Sequence, residues 1–375
     1  MSASNAGSSL PAILQTSIAL CDRFASSLAP NAPIDLPPTN PDSPSPLILA
    51  DAAAASLKSQ VTKLSLLAIT TPFTPSAVTT CLKPLNESIL TSLVTAALLT
   101  TPESFTASFS AECHSLTATA LRDTQALLQL IETRRKDGKP KTELPEAQKK
   151  AFTEATGRVW DDCDKLVPLA KEGVPGYVVR KSKEWLDLMK DAVREFEEWD
   201  PAEKIDDDDP FGERLSDVEE DEDPDEGSES DRIAISAGVK EQALKVLNRI
   251  PQSIHVVIKQ RLEKMKLSRE ASKSQMEQLD TILKQNRHVS ELIDESAEGM
   301  YLGDPEICLK KAGEARAVTI EVVESVLKPI PQQDNAASNE SKEDRYIQRA
   351  LEWIQQVDTG KFAQSTTSGS NKYKT

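Results

Sequence analysis

Histidine is scarce in this chain, with only His114, His255 and His288 among 375 residues. So few imidazoles leave little for acid–base chemistry. His114 adjoins Cys113, but no second ligand pair stands at zinc-like spacing, so no metal site is expected. Glycine is thin as well, at 13 residues, and neither a GxxxxGK[ST] loop nor a GxGxxG turn occurs. A nucleotide cradle of backbone amides is therefore not expected, nor any other cofactor. Aromatics make up 4% of the sequence and do not interleave with basic residues, which argues against direct nucleic-acid binding. No apolar run approaches the ~18 residues of a spanning helix, so membrane insertion is not expected. The opening MSASNAGSSLPAILQ lacks the basic and apolar parts of a secretory signal. Five cysteines, an odd number widely spaced at 21, 81, 113, 163 and 308, suit buried free thiols better than a disulfide framework. Together these absences point to a soluble intracellular protein without an evident catalytic centre.

What the chain does have is a concentrated negative charge. The net charge is -16. Between Asp206 and Asp231 fifteen acids face a single base, Arg214, a local charge of -14 that leaves -2 for everything else. A like-charge block with few apolar residues cannot repay its ordering entropy, so a disordered linker is expected over 201–232.

Elsewhere apolar residues recur at helical steps of three and four. Successive stripes begin with Leu10, Leu14, Ile18 and Cys21, and then Leu49, Ala53, Leu57 and Val61. Thr74 followed by Pro75 marks a helix start, and Pro84 is placed to bend that helix. Further stripes run from Phe105 to Ile131, from Phe152 to Leu166, and from Trp185 to Trp199, with a turn at Gly173 to Gly176 between the last two. No period-two alternation bounded by hairpin turns appears. The fold class is all-α: antiparallel helical bundles in two halves separated by the acidic linker. The expected organisation is an N-terminal bundle over 1–200, the linker over 201–232 and a C-terminal helical region over 233–328. A polar linker over 329–345, a short helix over 346–357 and a disordered tail over 358–375 complete it.

Several clusters carry candidate chemistry. Asp221, Asp223 and Asp225 mimic the opening of a calcium loop, but Glu226 stands where that loop needs glycine and Arg232 where it needs the bidentate glutamate. Asp161, Asp162 and Asp164 suggest a magnesium-dependent all-α enzyme, although the spacing is not DDxxD and exposed helix carboxylates are the simpler reading. The basic run Arg134, Arg135, Lys136, Lys139 and Lys141 is a candidate nuclear-import patch, or a set of cations at a helix C-terminus. Ser216 and Ser228, each with an acid three residues on, are candidate phosphorylation sites.

The most informative segment is Thr156-Gly157-Arg158-Val159-Trp160-Asp161-Asp162-Cys163-Asp164. With the stretch from Leu188 to Glu198, the acidic block, and Glu298-Gly299-Met300-Tyr301 ahead of Asp304-Pro305-Glu306, it resembles the cyclin-D-interacting (GCIP-like) protein family. The family-like positions are Thr156, Gly157, Val159, Trp160, Cys163 and Asp164. That resemblance implies an all-helical, non-enzymatic regulator that binds cyclin D and adaptor or helix-loop-helix proteins. It further implies negative action on cell-cycle progression and residence in cytoplasm and nucleus. No basic region precedes a helix pair, so the helix-loop-helix association does not imply DNA contact. The alternative reading is a cytoskeletal or trafficking helical scaffold.

Overall fold

The computed structural model describes residues 9–30, 32, 44–138, 140–200, 229–265, 272–330 and 341–356. Every regular element among them is helical. The chain divides into two compact units. One takes residues 1–177 and 268–280, and the other takes 178–267 and 281–375. The acidic stretch as far as residue 228, the polar connection at 331–340 and the tail from residue 357 fall outside the described residues.

In the first unit, α1 (Leu10–Ser27) and α2 (Pro46–Ile69) each begin with a proline in the first turn, where the missing N–H costs no hydrogen bond. The next helix follows the Thr74–Pro75 signal. It runs as α3 (Pro75–Pro84), a single π turn (Leu85–Ile89) and α4 (Leu90–Leu98). The Leu90 N–H reaches the Leu85 carbonyl, so the proline that the sequence marked as a bend is accommodated by widening one turn rather than by a break. Thr106 caps α5 (Ala107–Lys136) by accepting from the Phe109 N–H. Gly138, at φ 63° just past its end, takes the left-handed conformation that stops helices.

α1 packs on α5 and α3, and α2 packs on α4 and α3. Leu14, Leu57, Leu64, Leu82, Leu93, Leu121 and Leu128 of these helices are buried. Leucine and alanine fill the core where aromatics are few. Phe109 is fully buried and edge-on to Tyr177 at 5.3 Å, and Phe73 and Phe152 are buried as well.

α6 (Glu146–Glu198) is read from the sequence as two helices. It is continuous except at Gly173, whose φ of 58° and ψ of -168° leave the helical region at one residue. The Phe152 and Trp185 stripes are thus separated by a one-residue break at Gly173 instead of the expected turn over Gly173 to Gly176. The division between compact units falls inside this helix, after Tyr177.

The second unit contains α7 (Glu229–Leu247), α8 (Ile250–Val257) with a π turn at Ile258–Leu262, α10 (Pro305–Ser325) and α11 (Lys342–Gln355). α9 (Lys273–Tyr301) is divided between the units at Asp280. α10 packs against α7, α8 and α11. Gly299 lets α9 meet the start of α10, because a Cβ there would sit 2.9 Å from both the Cys308 amide nitrogen and the Ile307 methyl. Ser296 completes that contact by donating to the Cys308 carbonyl at 2.8 Å. Asp304 caps α10 through the Ile307 N–H.

α11 starts at Lys342, on a capping box in which Ser341 and Asp344 satisfy each other's backbone N–H groups. The buried Arg261 binds it to its neighbours. Its guanidinium donates to the carbonyls of Val326 (2.8 Å) and Leu327 (2.9 Å) and pairs with Asp344.

Candidate functional site

The family-like segment lies on α6 in the first unit, and its spacing sorts it into three faces. Thr156, Val159 and Cys163 point to the core and are buried. The Thr156 hydroxyl donates to the Phe152 carbonyl at 2.7 Å, and burial pushes the Cys163 thiol up to about 12, which keeps it protonated and unreactive.

A second face holds Trp160 and Asp164 against α2. Lys58 donates to both oxygens of Asp164, at 2.6 and 2.7 Å, and its ammonium lies 5.8 Å from the centre of the Trp160 ring. The indole N–H donates to the Thr62 hydroxyl at 3.1 Å. Trp160 is nevertheless 39% exposed. It is therefore a large aromatic side chain held in one place and open to solvent.

The third face opens on a cleft of about 530 Å³, lined by Asp123 of α5 and by Glu154, Gly157, Arg158, Asp161 and Asp162 of α6. Arg158 pairs with Asp123 at 3.1 Å, and Lys165 pairs with Asp161. Asp162 is 5% exposed, and its buried Oδ2 accepts no hydrogen bond. Two ionised carboxylates cannot donate to each other. The contact with Asp123 is satisfied when Asp162 keeps its proton and shares it. Burial first, and then the Asp123 charge and hydrogen bond, push the Asp162 carboxyl up to about 6. Gly157 leaves this face open, since a Cβ there would touch nothing within 4 Å.

Asp161, Asp162 and Asp164 thus have three different surroundings: Lys165, Asp123 and Lys58. Among the described residues no group of three His, Cys, Asp or Glu side chains could hold a metal ion. Asp123, half of the carboxyl pair, carries no sequence signal, because only the packing of α5 on α6 brings it to Asp162.

The basic run is divided as well. Arg134 is buried and donates to the Thr142 carbonyl at 2.7 Å, while Arg135 and Lys136 pair with Glu132. Lys141 is exposed beside a second hollow. Lys139, Ser216 and Ser228 lie outside the described residues. Four of the five cysteines are buried and Cys81 is half-buried, all of them free. Among the described residues no helix is long and apolar enough to cross a membrane.

The fold and the motif face define the class: an all-α helical protein whose most distinctive segment presents an anchored aromatic and an acidic cleft. Residues 50–202 match the family described as Grap2 and cyclin-D-interacting, N-terminal. That segment contains the whole of Thr156 to Asp164, and the resemblance read from the sequence holds over it. No curated protein matches the chain.

Proposed function

We propose that this protein is a non-enzymatic interaction module that binds a cyclin of the D type, or an adaptor or helix-loop-helix protein, and restrains cell-cycle progression in cytoplasm and nucleus. The observation that carries the reading is the family match over residues 50–202, with Trp160 standing exposed and immobilised inside it. A fixed, half-exposed tryptophan offers a partner a large contact area at little entropic cost, and tryptophan is enriched among the residues that dominate binding energies. Lys58 and Asp164 around it supply a polar rim. The acidic stretch from Asp206 to Asp231 adds charge that sets association rate and selectivity more than affinity. The separate partners of Asp161, Asp162 and Asp164 favour this reading over a magnesium-dependent enzyme.

The test is calorimetric titration of the purified chain with a purified D-type cyclin, beside the Trp160→Ala variant. Binding is expected, and the variant should lose about 2 kcal/mol, roughly thirtyfold in affinity. Binding unchanged in the variant would move the contact elsewhere, and no binding to the wild-type chain would reject the cyclin as partner.

A further inference from the structure

A different surface, wholly within the second unit, has the chemistry of a peptide groove. Two adjoining hollows of about 510 and 410 Å³ share Gln252 and Val256 of α8. The apolar lining comes from three helices: Val193 of α6, Pro251 and Val256 of α8, and Ala350 and Trp353 of α11. Trp353 is fixed in place, because the Arg249 guanidinium lies 5.2 Å from its ring centre and donates to its backbone carbonyl at 2.6 Å. Tyr346 lines the second hollow and is 40% exposed.

The charges lie on the two banks. Lys190 and Arg194 stand on the α6 side, and Arg349 stands on the α11 side. Glu197 is the one acid among the lining residues. Lys190 and Arg194 pair with Asp187 and Asp191, each three residues back on the same helix and well exposed. Such pairs contribute little and are readily exchanged for a new partner. Arg349 has no ion pair among the described residues. In a chain of net charge -16, a groove with an apolar floor and cationic banks is a local reversal of sign.

We propose that this groove binds an amphipathic helix from another protein, with an apolar stripe at i, i+3/i+4 and i+7 and carboxylates on both flanks. The stripe would fill the two hollows in succession, burying side chains against Val256, Ala350 and Trp353. One row of carboxylates would meet Lys190 and Arg194, and the other would meet Arg349, so both flanks of the ligand are read. A helix with cationic flanks would place like charges together on both banks and be rejected. The proposal is independent of the Trp160 reading, which concerns residues of the other unit.

The experiment uses the full chain and two fluorescein-labelled synthetic helical peptides. Both carry leucine at i, i+3, i+4 and i+7, flanked in one by glutamate and in the other by lysine. Fluorescence anisotropy should show the glutamate peptide binding at least about tenfold more tightly than the lysine peptide. The double variant Arg194→Glu/Arg349→Glu should weaken the glutamate peptide by about tenfold or more, while Arg194→Lys/Arg349→Lys retains most of the affinity. Both arginines are exposed, and thermal unfolding of each variant checks that the fold is kept. The proposal is overturned if the wild-type chain binds neither peptide, if both peptides bind equally, or if charge reversal has no effect. Binding seen only after Asp206–Gly227 is replaced by neutral residues would assign the groove to the chain's own acidic stretch and overturn a partner in trans. A chain that binds the cyclin but not the peptide loses this proposal alone.

Discussion

Asp162 occupies a position where a carboxylate is poorly solvated and lies beside a second acid, so the folded protein holds its proton to about pH 6. A raised carboxyl pKa stabilises the fold at low pH, because the folded state binds a proton that the unfolded chain has already lost. Stability from this group is therefore expected to fall as pH rises from about 3.8 to about 6 and to level off above. Asp162→Asn keeps a donor toward Asp123 at every pH. It should flatten that slope and, with the cleft's access to solvent allowed for, leave the variant about 1 kcal/mol more stable than wild type at pH 8. Urea unfolding at pH 5 and pH 8 measures both effects, and identical slopes would remove the shared proton.

Gly157, one turn away, gives a complementary test. Glycine inside a helix costs about 1 kcal/mol relative to alanine, and nothing within 4 Å obstructs a methyl group there. Gly157→Ala should therefore raise the unfolding free energy by up to about 1 kcal/mol. A loss of stability instead would show that the helix is strained at this point.

At this scale the sequence was partly legible. The spacing of Thr156, Val159 and Cys163 announces a core face. The approach of Asp123 to Asp162 has no local signature, because it depends on how α5 lies against α6. Arg134 was similarly hidden. Its neighbours suggest an exposed cationic run, but the turn after α5 returns the Thr142 carbonyl to it.

Helices as elements were the most legible feature, since apolar stripes and the Thr74–Pro75 start act locally. Less legible were the two π turns, Leu85–Ile89 and Ile258–Leu262. A wider turn leaves the apolar stripe nearly intact, and so it does not change the periodicity that reveals a helix. The start of α11 did carry a signal, the Ser341–Asp344 capping box, but it was obscured by the polar composition around it. The second half of that element's anchoring is tertiary, through Arg261. Arg261→Met keeps much of the side-chain volume but leaves the Val326 and Leu327 carbonyls and Asp344 without their donor. A loss of about 2–4 kcal/mol in urea unfolding is expected. Hydrogen exchange should show Ile347 to Ile354 losing protection first, and a uniform loss across the second unit would place Arg261 in the general core instead.

Across the whole molecule, charge and burial are arranged separately. The acidity belongs to one stretch of sequence, while the described helices carry a nearly balanced surface of short-range ion pairs, many of them three or four residues apart on one helix. Such pairs contribute a few tenths of a kcal/mol each, and so the fold rests on its leucine- and alanine-rich interior. That division explains why a mean hydropathy of -0.41 coexists with fully buried side chains in both units.

The same burial gives the protein a set of internal clocks. Cys21, Cys113 and Cys163 lie in the first unit and Cys308 in the second, all enclosed, with thiols pushed up by burial, Cys21 and Cys163 to about 12. A thiol reagent added to the native protein should modify half-buried Cys81 promptly and the other four only as fast as their surroundings open. Mass spectrometry of the time course would then give a separate opening rate for each unit. Five thiols reacting together at the first time point would contradict the enclosure of those four side chains. Different lag times at Cys163 and Cys308 would instead show that the two units breathe at their own rates.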